Sequence, residues 1–142
     1  MVVVEQLKEA SEQALADLVR LSSLLHGDDR PMKLDELEAM VKDPNIVLLV
    51  ARVGEKIIGM GAIYLIQKIG NRKFYLEDLI VDEQYRGAGV GGKIVRALAQ
   101  IARERGAASM ELMSRITRAD AHRFYEKMGF KDKERVVFKL TL

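Results

Sequence analysis

The chain has 142 residues, a length that suits one globular domain and is too short for two of ordinary size. Its 49% of hydrophobic and 31% of charged residues exclude a mainly disordered or fibrous chain, and a net charge of +2 gives no indication of nucleic-acid binding. The absence of cysteine excludes disulfides, thiolate metal sites and a cysteinyl intermediate.

No part of the sequence predicts a membrane span or a secretory signal. A transmembrane helix needs about 18 or more apolar residues in succession, and no stretch here approaches that length. Residues 1–5 also lack the basic segment and the following apolar segment of a secretory signal. We therefore expect a cytoplasmic protein that makes no contact with a membrane.

The N-terminal part of the chain predicts a strand followed by two helices. Residues 2–7 are typical of a strand, and apolar residues at helical spacing follow from Ser11 onward, namely Ala14, Leu15, Leu18, Val19, Leu21 and Leu25. His26–Pro31 has the composition of a loop, and Leu34–Val41 predicts a shorter helix that ends before Asp43 and Pro44.

Three strands with short connections come next. They are predicted at Ile46–Val53, Ile57–Lys68 and Lys73–Val81, and glycine-containing turns separate them. Strands joined this closely must be mostly antiparallel. Gly59 and Gly61 lie inside the second strand and indicate a bulge.

Helices and strands alternate in the rest of the chain. A helix follows Gly92 and ends near Gly106, a strand is predicted at Ala108–Ser114, and Thr117 is predicted to cap a second helix that Gly129 ends. The buried face of that second helix is predicted to carry Ala121, Phe124, Tyr125 and Met128. Arg135–Leu142 is a last β-prone run. The whole order, β-α-α-β-β-β-α-β-α-β, predicts one domain over residues 1–142 of the mixed α/β (α+β) class.

The most specific segment is the glycine-rich loop between the predicted strand and helix. Four of the six residues from Gly87 to Gly92 are glycine, and Arg86 precedes them. Glycines at the start of a helix let main-chain N–H groups converge on one point, which the helix dipole makes favourable for phosphate. We therefore expect this loop to bind a phosphate-containing ligand.

Two common phosphate-binding motifs fit this loop poorly. Residues 87–92 satisfy G-x-G-x-x-G, and Glu111 lies about twenty residues further on, as a dinucleotide-binding site requires. However, Asp82–Arg86 separates the strand from the glycines, and too little chain follows Glu111 to complete a parallel sheet. A nucleotide-triphosphate loop is disfavoured because Lys93 is followed by Ile94 and not by a hydroxyl residue.

The loop resembles motif A of the GNAT acetyltransferase superfamily, [QR]-x-x-G-x-[GA], which Arg86, Gly89 and Gly91 satisfy. Residues 121–130 are similar to the family's A-x-x-F-Y-x-x-x-G-F motif, and the order of the predicted elements matches the family fold over nearly the whole chain. The family often has asparagine where this chain has Arg118, so this position does not supply the side-chain amide contact to the cofactor.

The resemblance implies acetyl-CoA as cosubstrate and a fold in which helices flank a central mixed, mostly antiparallel sheet. The diphosphate of coenzyme A would be bound by the loop residues Arg86, Gly87, Ala88, Gly89, Val90, Gly91, Gly92 and Lys93. The strand end Leu79, Ile80 and Val81 would separate from the neighbouring strand and bind pantetheine and the thioester carbonyl through its main chain.

The resemblance also assigns the candidate catalytic residues. Tyr125 corresponds to the tyrosine that protonates the departing thiolate, with core packing beside Phe124 as the alternative. Glu77, in a Glu-Asp pair like those of diamine and glucosamine-phosphate acetyltransferases, is the candidate base, with an ion pair to an arginine as the alternative. Strand alternation predicts that Glu77 and Asp78 point to opposite faces of the sheet.

Direct attack of a primary amine on acetyl-CoA in a ternary complex is the expected mechanism, because no activated nucleophile is evident. No metal is expected, since the chain has two histidines, no cysteine and no metal-binding motif. Solvated surface is the expected role of His122. The acceptor is a small-molecule or peptide amine, a homodimer is open, and a non-catalytic acyl-CoA sensor is the alternative function.

Overall fold

Runs of β-branched and apolar residues form a five-stranded sheet, and three amphipathic segments within residues 1–112 form helices that pack on its two faces. The protein is described by a computed structural model that covers residues 1–142. Its chain falls into two compact units, residues 1–112 and residues 113–142. The elements in chain order are β1 (Val3–Gln6), α1 (Glu12–His26), α2 (Leu34–Lys42), β2 (Ile46–Val53), β3 (Lys56–Lys68), β4 (Asn71–Val81), a 3₁₀ turn (Glu83–Tyr85), α3 (Val90–Glu104), β5 (Ser109–Glu111) and α4 (Ala119–Lys127).

The sheet follows the sequence order β1-β2-β3-β4-β5. The first four strands pair in antiparallel fashion and β5 pairs with β4 in parallel, so the sheet is mixed and mostly antiparallel. This arrangement confirms the predicted fold class. It is inconsistent with a dinucleotide-binding sheet, whose strands run parallel.

The helices α1 and α2 cover one face of the sheet, and α3 packs on the other. Leu21 of α1 and Leu37 of α2 belong to the same buried cluster as Val50 and Met60 of the sheet. On the opposite face, a Cβ atom placed on Gly61 would lie 2.9 Å from Ile94 Cγ2 of α3. Glycine at this position therefore lets α3 approach β3 closely.

A β-bulge interrupts β4 opposite Gly61. Ala62 is paired with Glu77 and Met60 with Ile80, so two steps along β3 match three steps along β4. Asp78 lies inside the bulge with φ 56°, a left-handed conformation that is uncommon outside glycine. The sequence prediction of a bulge near Gly59 and Gly61 is confirmed: Ile58 is an extra residue of β3 in its pairing with β2, and the bulge opposite Gly61 adds its extra residue to β4.

The bulge makes the predicted faces of β4 wrong beyond Glu77. Ile80 joins Met60 and Ala62 in the core beneath α1 and α2, whereas Leu79 lies beside Gly61 on the α3 face. Asp78 contacts α1, so it does not point away from Glu77 as strict alternation predicted. The reason is that one inserted residue shifts every later side chain of a strand to the other face.

The unit formed by residues 113–142 contains α4 and an irregular C-terminal segment. The cap of α4 is Arg118 and not the predicted Thr117, and Arg118 makes no side-chain capping hydrogen bond. Its predicted buried face is half-buried, because Ala121, Phe124, Tyr125 and Met128 are all of intermediate exposure. The expectation of one domain over residues 1–142 stays a prediction.

Two predicted strands differ from the structure. The strand predicted at Ala108–Ser114 is limited to Ser109–Glu111, and Arg135–Leu142 forms no strand. In that last run, Val136 is 77% exposed and Phe138 is 93% exposed. Local composition made this segment β-prone, but a strand also requires the hydrogen bonds of a partner strand. None of the helices has the length and apolar character that crossing a membrane requires.

Candidate active site

The glycine-rich loop begins where β4 ends and leads directly into α3. The N–H of Asp82 donates to Ile58 O at 2.7 Å, and the Asp82 side chain accepts from Gln84 N at 3.3 Å, so the start of the loop is fixed. Gly87 has φ 82° and Gly89 has φ 81°. Both values lie in the left-handed region, where side chains are disfavoured, and this explains glycine at these two positions.

The first turn of α3 presents main-chain donors. Gly89 caps the helix without a side-chain hydrogen bond, and the first bond within the helix runs from Lys93 N to Gly89 O at 3.1 Å. The N–H groups of Val90, Gly91 and Gly92 therefore have no acceptor within α3. The first turn also contains no acidic residue. These features fit an anionic ligand such as a phosphate or a diphosphate.

Two arginines flank this turn. Arg86 Nε donates to Val81 O at 2.9 Å, which ties its side chain to the end of β4. Arg96 lies one helical turn after Gly92, and its Nη1 is 3.1 Å from the point that a Cβ on Gly92 would occupy. Sequence reasoning missed Arg96. Its i+4 spacing from Gly92 was the available signal, since helical side chains lean toward the N-terminus.

The edge of β4 facing β5 is only partly paired. The parallel ladder joins Lys73, Phe74 and Tyr75 to β5, and β5 ends at Glu111. Residues 76–81, which include the predicted cofactor-binding residues Leu79, Ile80 and Val81, have no partner in β5. Their main-chain groups on this edge are available to a ligand, except for the carbonyl of Val81, which accepts from Arg86.

Two carboxylates, a histidine and a tyrosine meet at the β4 bulge. His26 Nε2 lies 3.4 Å from Asp78 Oδ1, and both side chains are about one-third exposed, at 30% and 33%. Burial raises the pKa of Tyr64 to about 12, and the charges of Asp78 and Glu77 add to this effect. The structure therefore brings Glu77, Asp78, His26 and Tyr64 together, whereas sequence reasoning selected the Glu77-Asp78 pair, with Glu77 favoured as the base, and missed the other two residues.

The environment of Glu77 raises the pKa of its carboxyl above the ordinary value. Its side chain is exposed, yet the surrounding protein removes part of its hydration, which raises the pKa of this carboxyl. The neighbouring charge of Asp78 raises the same pKa further, and His26 lowers it. No arginine pairs with Glu77, in contrast to the alternative considered from the sequence. A carboxylate with a raised pKa is a better proton acceptor than an ordinary surface carboxylate.

A separate ion pair lies on β4 and β5. Lys73 Nζ is 3.0 Å from Glu111 Oε2, and the Lys73 ammonium lies 5.1 Å from the centroid of the Tyr75 ring. The hydrogen bond to Glu111 raises the pKa of Lys73, so the ammonium stays protonated. Glu111, the carboxylate that a dinucleotide site would use, is thus engaged by Lys73.

Tyr125 lies in α4, in the second unit. Its ring makes edge-to-face contacts with Phe124 at 5.3 Å and with Phe130 at 5.7 Å between centroids. The N–H of Phe130 donates to Tyr125 O at 3.0 Å, which closes the end of the helix. His122 Nε2 lies 2.8 Å from the carbonyl of Arg115. The aromatic contacts agree with the packing alternative for Tyr125 and leave a role of its hydroxyl as a prediction.

Comparisons with known proteins agree with this geometry. The acetyltransferase (GNAT) family matches residues 13–130. The thialysine N-epsilon-acetyltransferase of Mus musculus is 29% identical over 144 residues, covering 89% of this chain and 84% of that protein. The aminoalkylphosphonate N-acetyltransferase of Salmonella typhimurium is 29% identical over 99 residues, covering 68% of this chain and 64% of that protein.

The fold also matches solved structures. An aminoglycoside acetyltransferase from an uncultured soil metagenomic sample superposes with a TM-score of 0.89 at 24% sequence identity. The match covers 99% of this chain and 96% of that chain. At this level of identity the likeness concerns the fold alone.

Proposed function

Because the chain belongs to the acetyltransferase (GNAT) family, we propose that it transfers the acetyl group of acetyl-CoA to a primary amine. The observation that carries this proposal is the first turn of α3, where three main-chain N–H groups follow two left-handed glycines and lack acceptors within the helix. Acetyl-CoA supplies an activated thioester and a diphosphate. The diphosphate is the part of the molecule that this turn can bind.

The cofactor-binding residues are proposed as one continuous surface. Loop residues hold the diphosphate through main-chain N–H groups and two cationic side chains, and they are Arg86, Gly87, Ala88, Gly89, Val90, Gly91, Gly92 and Lys93. The unpaired edge of β4 at Leu79, Ile80 and Val81 hydrogen-bonds the pantetheine arm. An N–H group on this edge that donates to the thioester oxygen stabilises the negative charge that develops during attack.

Glu77 is proposed as the base that receives the proton of the attacking amine, through a water molecule. Its raised pKa and its exposed position at the bulge support this role. The amine nitrogen forms a bond to the thioester carbon, the carbon–sulfur bond breaks, and the nitrogen loses a proton to Glu77. The products are an N-acetyl amine and coenzyme A.

Tyr125 is proposed as the acid that protonates the departing thiolate of coenzyme A. Support for this role comes from the A-x-x-F-Y-x-x-x-G-F motif at residues 121–130 and not from a measured distance. Direct attack in a ternary complex then requires no acetyl-enzyme. Initial-rate kinetics should give intersecting double-reciprocal lines, and a ping-pong pattern with acetylated protein would contradict this mechanism.

The acceptor is proposed to be a small cationic amine. Glu77 and Asp78 supply negative charge where the amine must approach, and the relatives named above act on a lysine analogue and an aminoalkylphosphonate. Thiol release from acetyl-CoA should be measured with a panel of lysine, thialysine, spermidine, aminomethylphosphonate and glucosamine 6-phosphate. A cytoplasmic location, a homodimer and the lack of a metal remain predictions.

A non-catalytic acyl-CoA sensor is the alternative function. It would bind coenzyme A with the same loop and release no thiol with any amine of the panel. Binding and turnover can be separated by measuring the thermal shift with coenzyme A alongside the thiol assay. A ligand at 100 times its Kd stabilises a protein by about 2.7 kcal/mol, so binding is detected without turnover.

A further inference from the structure

The contact between His26 and Asp78 joins two parts of the chain that no sequence motif connects. His26 is the last residue of α1, and Gly27 ends that helix in a left-handed conformation with φ 74°. Asp78 lies in the β4 bulge, and the imidazole Nε2 is 3.4 Å from its carboxylate Oδ1. The contact therefore connects the C-terminal end of α1 with the strand that carries the proposed base.

The backbone of Asp78 has a strained conformation that contacts with neighbouring side chains must stabilise. Its φ of 56° is a left-handed conformation in a residue that has a side chain. Such a conformation is strained in a residue that has a Cβ atom, and it persists when surrounding contacts fix it. Tyr64 from β3 lies close enough to sense the charge of Asp78. His26 is the partner for which the structure gives a direct side-chain contact with Asp78.

The position of Asp78 matters because Glu77 is the next residue. Asp78 and His26 act on the Glu77 carboxyl in opposite directions, since Asp78 raises its pKa and His26 lowers it. The charged or titratable groups around the cluster are Asp28 and Arg30 from the loop after α1, Tyr64 from β3, and Glu77 itself. Asp28 and Arg30 form their own ion pair at 2.9 Å, and the imidazole of His26 is the side chain that contacts Asp78.

We propose that His26 is a positioning residue for acetyl transfer: its imidazole holds Asp78 in the β4 bulge and so sets the charge next to Glu77. This inference rests on the proposed function, because it assigns Glu77 as the base. His26 itself does not touch the reacting atoms in this proposal. It acts through Asp78, and its ring presents the nitrogen Nε2 to that carboxylate.

The test compares His26→Ala, His26→Gln and Asp78→Asn with the wild type, using acetyl-CoA and the most active amine of the panel. His26→Ala should lower kcat/KM about 10-fold, the size of one lost hydrogen bond to a charged group. His26→Gln keeps an N–H donor and should stay within about 3-fold of wild type. Because His26 acts through Asp78, kcat/KM of the double variant His26→Ala/Asp78→Asn should be no lower than that of the single variants.

The pH profile distinguishes positioning from a purely structural role. Removing the charge of Asp78 should move the acid limb of kcat/KM to lower pH, because Asp78 raises the pKa of Glu77. Removing His26 should move the same limb to higher pH, because His26 lowers that pKa. His122→Ala, which changes the other histidine of the chain, serves as the matched control and should leave the limb in place.

A readout without turnover keeps this inference separate from the proposed function. With two histidines in the chain, imidazole NMR signals can be followed individually, and Asp78→Asn should change the signal of His26 but not that of His122. The positioning role is overturned if Asp78→Asn leaves the NMR signal of His26 unchanged. It is also overturned if the acid limb of kcat/KM lies at the same pH in all variants. Failure of every panel amine overturns the proposed function, and the imidazole signal then still decides whether His26 contacts Asp78.

Discussion

Arg20 on α1 and Asp82 at the end of β4 form an ion pair, with 2.9 Å between Nη1 and Oδ2. Asp82 is nearly buried, with 9% exposure, and it is also the first residue of the connection to the glycine-rich loop. Arg20 donates as well to the carbonyl of Ile57 at 3.1 Å. The ion pair thus fixes the starting point of the proposed cofactor loop against the helix that carries His26.

Asp82→Asn should destabilise the fold in a pH-dependent way. Burial raises the pKa of Asp82, but hydrogen bonds from Gln84 N–H and Arg20 outweigh it, so the net pKa is below its ordinary value. A carboxyl whose pKa is lower in the folded state stabilises the fold fully at pH values above its unfolded-state pKa of about 3.9. This stabilisation is lost as the pH falls from there through the pKa of the folded state. Urea unfolding should show a loss of about 1–3 kcal/mol at pH 7.

The matched control for this prediction is Asp28→Asn. Asp28 also pairs with an arginine, Arg30, at 2.9 Å, but its side chain is 60% exposed. Exposed ion pairs contribute little, so this variant should unfold close to wild type at every pH. If the difference in unfolding free energy between wild type and Asp82→Asn stays constant down to pH 2, the ionised carboxylate of Asp82 is not the source of the stabilisation.

Gly61→Ala should destabilise the packing of α3 on the sheet. The added Cβ would lie 2.9 Å from Ile94 Cγ2 and 3.3 Å from Leu98 Cδ1, and both of these core side chains are fully buried. Overpacking of this kind costs about 1–3 kcal/mol, which thermal or urea unfolding can measure. In the control, Gly92→Ala, the new Cβ meets the flexible end of Arg96 at 3.1 Å and the fold should lose no stability.

Gly89→Ala should weaken the binding of coenzyme A. The φ of 81° at Gly89 forces an added side chain into a left-handed conformation, although the space around it is open. That strain costs about 1–2 kcal/mol, and the loop should relieve it by moving its N–H groups out of place. We expect the Kd for coenzyme A, measured by calorimetry, to rise about 10-fold.

Gly106→Ala is the control for that experiment. Gly106 has φ 73° with equally open surroundings and lies just beyond the other end of α3. The Gly106→Ala variant should lose about as much unfolding free energy as Gly89→Ala, and its Kd for coenzyme A should equal that of wild type. Equal affinities of the Gly89 and Gly106 variants would show that the loop does not bind the cofactor.

Tyr125→Phe should lower kcat about 100-fold and leave the KM for acetyl-CoA nearly unchanged, as expected for loss of a general acid. The substitution keeps the ring that contacts Phe124 and Phe130. Phe124→Leu is the control, because it disturbs the same packing and retains the Tyr125 hydroxyl. If both variants lose kcat equally, the tyrosine contributes packing and not acid catalysis.

The sequence predicted features that depend on a few neighbouring residues. A glycine-rich loop that leads into a helix follows from local glycine placement and helical periodicity, and the structure confirms this helix, although α3 begins at Val90 and not after Gly92 as predicted. The antiparallel order of β2, β3 and β4 follows from their short connections in the same way. These are the parts of the candidate site that local rules determine.

Features that depend on distant contacts were not predictable in this way. The bulge at Asp78 arises where α3 packs against Gly61, and it redirects the side chains that alternation had assigned. The contact of His26 with Asp78 joins residues 52 positions apart. Local composition likewise predicted a strand at residues 135–142, where the structure forms none, because pairing with another strand is not encoded in the segment itself.

The central claim is that the first turn of α3 binds the diphosphate of coenzyme A. A crystal structure of the protein with coenzyme A tests it most directly. We expect diphosphate oxygens within about 3 Å of main-chain nitrogens in the segment from Gly87 to Gly92, with the pantetheine arm along the β4 edge at residues 79–81. A diphosphate bound elsewhere, with this turn empty, would contradict it.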